Sequence, residues 1–167
     1  MSGMATRFVD LISNCDYAYS VKSQRNGRAY LMKVFLCYSQ EDSEIAKVLA
    51  GRLADAGLDL WDPAETLFPG DNWALRIGEA LEKSDAMIAL VSPASMKSPS
   101  VRQEIEYALG SPRYKGRLLP VIVKPSKDMP WILKRFPAVR IEPDLEEAVR
   151  QIADHIKHGF ELAPANT

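Results

Sequence analysis

Two cysteines in 167 residues, Cys15 and Cys37, are too few for a disulfide framework and lack the CxxC spacing of a zinc or redox site. No apolar run approaches the roughly 20 residues that cross a bilayer. An excess of one charge is also missing. Lys and Arg number 21 against 22 Asp and Glu, a net charge of −1, so neither a nucleic-acid nor an anionic-membrane partner is expected. The first twenty residues, "MSGMATRFVDLISNCDYAYS", carry acids and polar breaks where a secretion signal would be apolar, and the chain reads as cytoplasmic. None of GxGxxG, GxxxxGK[ST], HExxH or GxSxG occurs. The two histidines, His155 and His158, fall near the end of the last predicted helix, where histidines complement the helix dipole. With no third ligand in view they predict no metal site.

What is present is the length of one domain and the apolar content of an ordinary globular protein. Residues 1–31 differ from the rest. "TRFVDLISNCDYAYSV" predicts a short helix and "KSQRNGR" a polar, turn-rich break, so this part is read as an appendage before a domain over 32–159, with 160–167 as a tail. From Lys33 the pattern turns regular. "KVFLCYS", "LDLW", "DAMIALVS", "RLLPVIVK" and a short edge "AVRI" predict five strands. Between and after them lie helical stretches. The first carries Ile45, Val48, Leu49, Leu53 and Ala56 at helical spacing, the second Ile77, Ala80 and Leu81, and the last is "DLEEAVRQIADHIKHG". Cys37, within the first strand, reads as a small buried thiol. Strands alternating with helices predict an α/β, flavodoxin-like three-layer sandwich: a five-stranded parallel sheet of order 2-1-3-4-5 with helices on both faces. Its ligand crevice is expected between the carboxyl ends of strands one and three, lined by the loops after Tyr38 and Val91.

Other functions of this architecture fail on particular residues. A phosphoacceptor receiver needs an aspartate at the end of strand three, which here ends "ALVSP". A flavin site wants a phosphate-cradling loop after strand one, where "YSQEDSE" places acids instead.

"SPSVRQEIEYALG", residues 98–110, predicts a helix with Val101, Ile105, Ala108 and Leu109 on one apolar stripe. Glu104 falls on the shoulder of that stripe, one turn after Ser100 and beside Tyr107, on a helix that leaves from the crevice. A solvated helix residue is the plain reading of such a glutamate. Asp42 reads most simply as an acid in a first helical turn. Trp73 reads as core, whereas Trp61, at a strand end, is open to core or ligand. Phe68, Pro69, Gly70 and Asp71 form the tip of a long loop, where an exposed Phe suits contact better than packing.

"KVFLCYSQED", then "FPGDNW", then "SDAMIALVSPASMKSPSVRQEIEYAL" together resemble the Toll/interleukin receptor (TIR) domain, in its bacterial stand-alone form, over roughly Lys33 to His158. The resemblance implies that Glu104 corresponds to the glutamate with which such domains cleave NAD. It further implies substrate contact at Tyr38 and Ser39, with Trp61, Ser100 and Tyr107 completing the set. Ser100 stands where enzymatic members often carry an aromatic residue. NAD is then substrate rather than cofactor. The products are those of an NAD glycohydrolase or an ADP-ribose cyclase, in defence against phage or in signalling to a downstream effector or activator. The loop at Phe68 is implied to contact neighbouring copies or to cover the active site, and activity to depend on self-association or on an activator. Two other classes stay open: a non-enzymatic TIR interaction module acting as adaptor or host mimic, and a nucleoside deoxyribosyltransferase-like N-glycosidase.

Overall fold

The computed structural model of the chain describes residues 22–25 and 28–159. The helix expected over residues 6–21, Cys15 and the tail at 160–167 lie outside the described residues. The polar break does not stay irregular. β1 (Lys22–Arg25) and β2 (Arg28–Leu31) pair antiparallel, Lys22 opposite Leu31 and Arg25 opposite Arg28. Asn26 and Gly27 stand between them, a pair that strongly favours a two-residue hairpin turn.

The remaining strands are β3 (Lys33–Cys37), β4 (Asp59–Trp61), β5 (Ala86–Val91), β6 (Leu118–Ile122) and β7 (Val139–Arg140). They form one sheet in the order β4-β3-β5-β6-β7, with every pair parallel. Counted within that sheet, this is 2-1-3-4-5, the order the alternating pattern predicts. The helices are α1 (Ser43–Asp55), α2 (Pro63–Thr66), α3 (Trp73–Lys83), α4 (Pro93–Lys97), α5 (Pro99–Gly110) and α6 (Leu145–His158).

Successive strand residues point to opposite faces. Val34 and Leu36 of β3, Ile88 and Leu90 of β5, and Leu119 and Val121 of β6 pack with Leu49 and Leu53 of α1 and Ile152 and Ile156 of α6. Phe35 and Cys37, Met87, Ala89 and Val91, and Leu118 pack with Ala80 and Leu81 of α3 and Val101, Ile105 and Ala108 of α5. Both faces of the sheet are therefore covered, which is why the central strands read as unbroken apolar runs. Each fully buried Leu or Ile adds roughly 1.5–3 kcal/mol.

Two short helices were not anticipated from the pattern. Ser92-Pro93 and Ser98-Pro99 each place a capping serine before a proline at the first helical position, so the stretch before Glu104 folds as two consecutive helices. Asp62 likewise caps α2 inside the loop after β4, accepting from the Ala64 amide at 2.9 Å. Two residues expected on apolar stripes, Val48 and Leu109, are exposed, and so is Trp73, expected in the core. Trp73 opens α3 one turn before Ile77, the first residue of that helix to pack on the sheet, and is 55% exposed. No helix among the described residues is long and apolar enough to cross a membrane.

Candidate functional site

β3 and β5 run side by side, Cys37 opposite Ala89, and the chain leaves them toward opposite edges of the sheet. This is the topological switch point, where open parallel sheets bind ligands beyond the carboxyl ends of their strands. A cleft of about 530 Å³ opens there. Ser39, Gln40 and Glu41 form one wall, from the turn after β3, and Pro93, Lys97 and Ser98 form the other, from α4 and the junction with α5. The loops predicted to line the crevice do line it. The volume is in the range of pockets for small organic ligands. One anion, Glu41, and one cation, Lys97, stand on the two walls.

Behind these walls lies a buried polar cluster. Asp42 is 7% exposed and occupies the capping position of α1, yet its side chain makes no capping bond to that helix. Its Oδ2 instead accepts from Ser39 Oγ at 2.9 Å and from Ser92 Oγ at 2.5 Å. Ser92 and Ser95 close a reciprocal box at the start of α4: the Ser95 amide donates to Ser92 Oγ at 3.0 Å, and the Ser92 amide donates to Ser95 Oγ at 2.9 Å.

Glu104 is half-buried on α5 and is not among the residues that line the cleft. It sits six residues after Ser98, the cap of α5, hence roughly 9 Å further along the helix axis. Burial pushes its carboxyl above the ordinary glutamate value, and a hydrogen bond from the Cys37 thiol draws it partly back. Cys37, at the end of β3, is fully buried and its Sγ lies 3.9 Å from the Val101 carbonyl of α5. Burial first, and then the charge of Glu104, push the thiol well up, so it stays protonated and acts as a donor. The shoulder position read from the sequence is thus a half-desolvated one, held against the end of β3.

The other anticipated contacts disperse. Ser39 lines the cleft while bonding Asp42. The Tyr38 hydroxyl donates to Asp62 Oδ1 at 2.5 Å, and burial together with that bond pushes the phenol far up. Trp61 stacks on Phe35 with ring centroids 5.0 Å apart and borders a separate groove of about 230 Å³ under α3. Ser100 is exposed and pairs with Ser98 at 3.1 Å. Tyr107, one turn past Glu104, is exposed and meets Tyr114 edge-on at 6.3 Å. At the loop tip Phe68 is 63% exposed, with Pro69 and Gly70 exposed beside it. Asp71 closes that turn, its carboxylate accepting from the Phe68 amide at 2.8 Å and its own amide donating to the Phe68 carbonyl at 3.1 Å. Gly70 has φ of +95°, the left-handed conformation that glycine adopts without strain. Among the described residues no three His, Cys, Asp or Glu side chains assemble as a metal site.

Reasoning from sequence missed Asp42, Ser92, Ser95 and Lys97. The available signal was the pair of spacings Ser39-x-x-Asp42 and Ser92-x-x-Ser95, each placed directly after a strand that ends at the switch point.

Residues 34–153 match the family model of the TIR domain. The chain belongs to the TIR family. Solved TIR-containing structures share the fold. The TIR domain of the Toll-related receptor TRR-2 from Hydra magnipapillata is 23% identical with a TM-score of 0.57, the match covering 71% of this chain and 89% of that one. A TIR-STING receptor from C. gigas, solved in complex with 2',3'-cGAMP, is 21% identical with a TM-score of 0.68, covering 86% of this chain and 44% of the receptor. The same kind of receptor in a second structure is 20% identical with a TM-score of 0.63, over 77% of this chain and 41% of that one. This TIR chain therefore spans under half the length of the C. gigas receptors it resembles. None of the curated protein sequences matches it significantly.

Proposed function

We propose that this TIR domain cleaves NAD, with Glu104 as the catalytic group and a cytoplasmic role in bacterial antiphage defence or nucleotide signalling. The TIR family contains NAD-cleaving enzymes as well as signalling adaptors. The observation that carries the enzymatic reading is Glu104 itself, a half-buried carboxylate with a raised pKa on the helix that leaves the switch-point cleft. Perturbed carboxyls beside such a crevice are candidates for chemistry.

The reaction asks little of the protein. In NAD the nicotinamide nitrogen is positively charged, so the bond to ribose breaks with its electron pair leaving on neutral nicotinamide, and no general acid is needed. The ribose develops oxocarbenium-like positive charge, as in glycoside hydrolysis. A carboxylate beside it stabilises that charge, more strongly where water is partly excluded. Water adding to the anomeric carbon and releasing a proton gives ADP-ribose. Capture by the substrate's own adenine, with loss of a proton and no water added, gives cyclic ADP-ribose or a cyclic isomer of it. Lys97 on the cleft wall suits the substrate's diphosphate. Chromatography of NAD incubated with concentrated protein tests the reading. Nicotinamide appearing with ADP-ribose or a cyclic ADP-ribose supports it; intact NAD contradicts it, and cleavage of nucleosides in its place would favour the glycosidase alternative.

A second reading, an interaction module without chemistry, is favoured by one feature. Phe68, Trp73 and Leu75 are all more than half exposed on the loop tip and the start of α3. An apolar group of this kind suits binding to another protein. The two readings are compatible if assembly through this surface completes the enzyme, with NAD, a second copy and an effector or activator protein as partners.

A further inference from the structure

We propose that Asp42 is a positioning residue that ties the two walls of the cleft together and so sets the spacing on which substrate binding depends. The inference rests on the reading of the cleft as the NAD site. Asp42 occupies the capping position of α1, where an aspartate would ordinarily bond the amides of its own helix. It makes no such bond. Its buried Oδ2 is spent on two hydroxyls, that of Ser39 three residues before it and that of Ser92 fifty residues after it.

Each partner belongs to one wall. Ser39 begins the wall that continues through Gln40 and Glu41, and Asp42 immediately follows it. Ser92 directly precedes the wall formed by Pro93, Lys97 and Ser98. A hydroxyl has one proton to give, and Ser92 gives its proton to Asp42 while its oxygen accepts from the Ser95 amide. Asp42 thereby fixes the rotor of the serine that caps α4. α4 ends at Ser98, which caps α5, and α5 carries Glu104. The line of bonded contacts thus runs from the turn after β3 through α4 to the helix of the proposed catalytic group. Strand pairing carries β3 and β5 together as far as Cys37 and Ala89; beyond those ends the Asp42 carboxylate bonds to both sides, to Ser39 on one and to Ser92 on the other.

Both hydroxyls converge on one oxygen, so charge and geometry are separable. Asp42→Asn keeps a carbonyl oxygen able to accept both bonds, whereas Asp42→Ala keeps none. The test combines NAD kinetics with amide hydrogen exchange at Ser95 and Met96, whose amides bond to Ser92. In Asp42→Ala those two amides exchange faster and kcat/KM falls by about 10²-fold, the scale of an ångström-sized misplacement, with the loss mainly in KM. Asp42→Asn recovers most of both, and Glu104→Gln loses kcat instead. If Asp42→Ala does not fold, Ser92→Ala, which cuts the link but keeps the Ser39–Asp42 bond, carries the same kinetic expectation and the exchange expectation at Met96 alone, because it also removes the acceptor of the Ser95 amide. Unchanged exchange at Ser95 and Met96 would overturn the latch whatever the protein does to NAD. Faster exchange with unchanged KM in an active enzyme would overturn the positioning role. Faster exchange in Asp42→Ala beside a wild type that leaves NAD intact would leave the latch standing as structure and overturn both its catalytic consequence and the NAD reading.

Discussion

Glu104 is held half out of water, and that position costs stability while it raises the pKa of the carboxyl. Its folded-state pKa is raised, so the folded protein holds the carboxyl proton more tightly than the unfolded chain does. Below the ordinary value of 4.5 both states are protonated and the group is neutral toward folding. As pH rises through that value the unfolded chain ionises first, stability falls, and above the folded pKa the penalty is constant. Glu104→Gln is therefore expected to be more stable than wild type near neutral pH, with the difference vanishing in acid; denaturant titrations at the two pH values measure it. Equal stabilities at neutral pH would place the carboxyl in full solvent. The same raised pKa moves the acid limb of NAD turnover above the range of an ordinary glutamate, since the ionised form is the one that stabilises positive charge. Tyr38 makes the opposite kind of prediction. Its hydroxyl is committed to Asp62, so Tyr38→Phe is expected to lower stability by about 1 kcal/mol and to leave NAD affinity unaltered if the tyrosine is structural. A changed KM would give the hydroxyl back to the substrate.

The elements divide into those that declare themselves in sequence and those that do not. β3, β5 and β6 are legible because sheets covered on both faces demand continuous apolar runs, and "AMIALV" is buried at every position. α6 is legible because Asp144 caps it and Ala148, Val149, Ile152 and Ile156 make one stripe. Ile152→Ala, at a fully buried site, is expected to cost 2–5 kcal/mol by denaturant unfolding; a loss much below that would mean the α6 face packs loosely. The first strand of the hairpin and its turn read as an irregular break because Lys22 to Arg28 are all polar or turn-forming, leaving only Asn26-Gly27 as a signal. The site was legible to the same degree as its elements. Glu104 could be placed on a helix shoulder because helical spacing fixes direction around the axis. The hydrogen-bonding destination of Asp42 could not, because it depends on Ser92, fifty residues away, and the local pattern offers the simpler role of a helix cap. Trp73 was misplaced for a related reason. Its spacing matches the buried face of α3, and only the position of the helix start shows that this first turn lies beyond the packed region.

At the scale of the whole molecule, the cleft is open and Glu104 does not line it, so a single chain does not enclose the proposed site. The most exposed apolar side chains near the loop after β4 are Phe68, Trp73 and Leu75, and Asp71 with Gly70 fixes the shape of that tip. A second copy seated on this surface would bury it and could close a neighbouring cleft, and heterologous contacts of this kind build rings or filaments. Specific NAD turnover is then expected to rise with protein concentration in wild type. In Phe68→Asp it should remain low at all concentrations while the folded content is unchanged. Turnover per molecule that is independent of concentration would show that one chain suffices.

The central claim is that a carboxylate on α5 carries the chemistry. The direct test is NAD turnover by concentrated wild-type protein beside Glu104→Gln, with folding of both verified by circular dichroism. Glutamine keeps size and hydrogen bonding and removes the charge. The account predicts cleavage by wild type and a loss of at least about 10²–10³-fold in the variant, the scale at which one electrostatic stabiliser contributes. Equal turnover by the two proteins would contradict it and remove Glu104 from the mechanism.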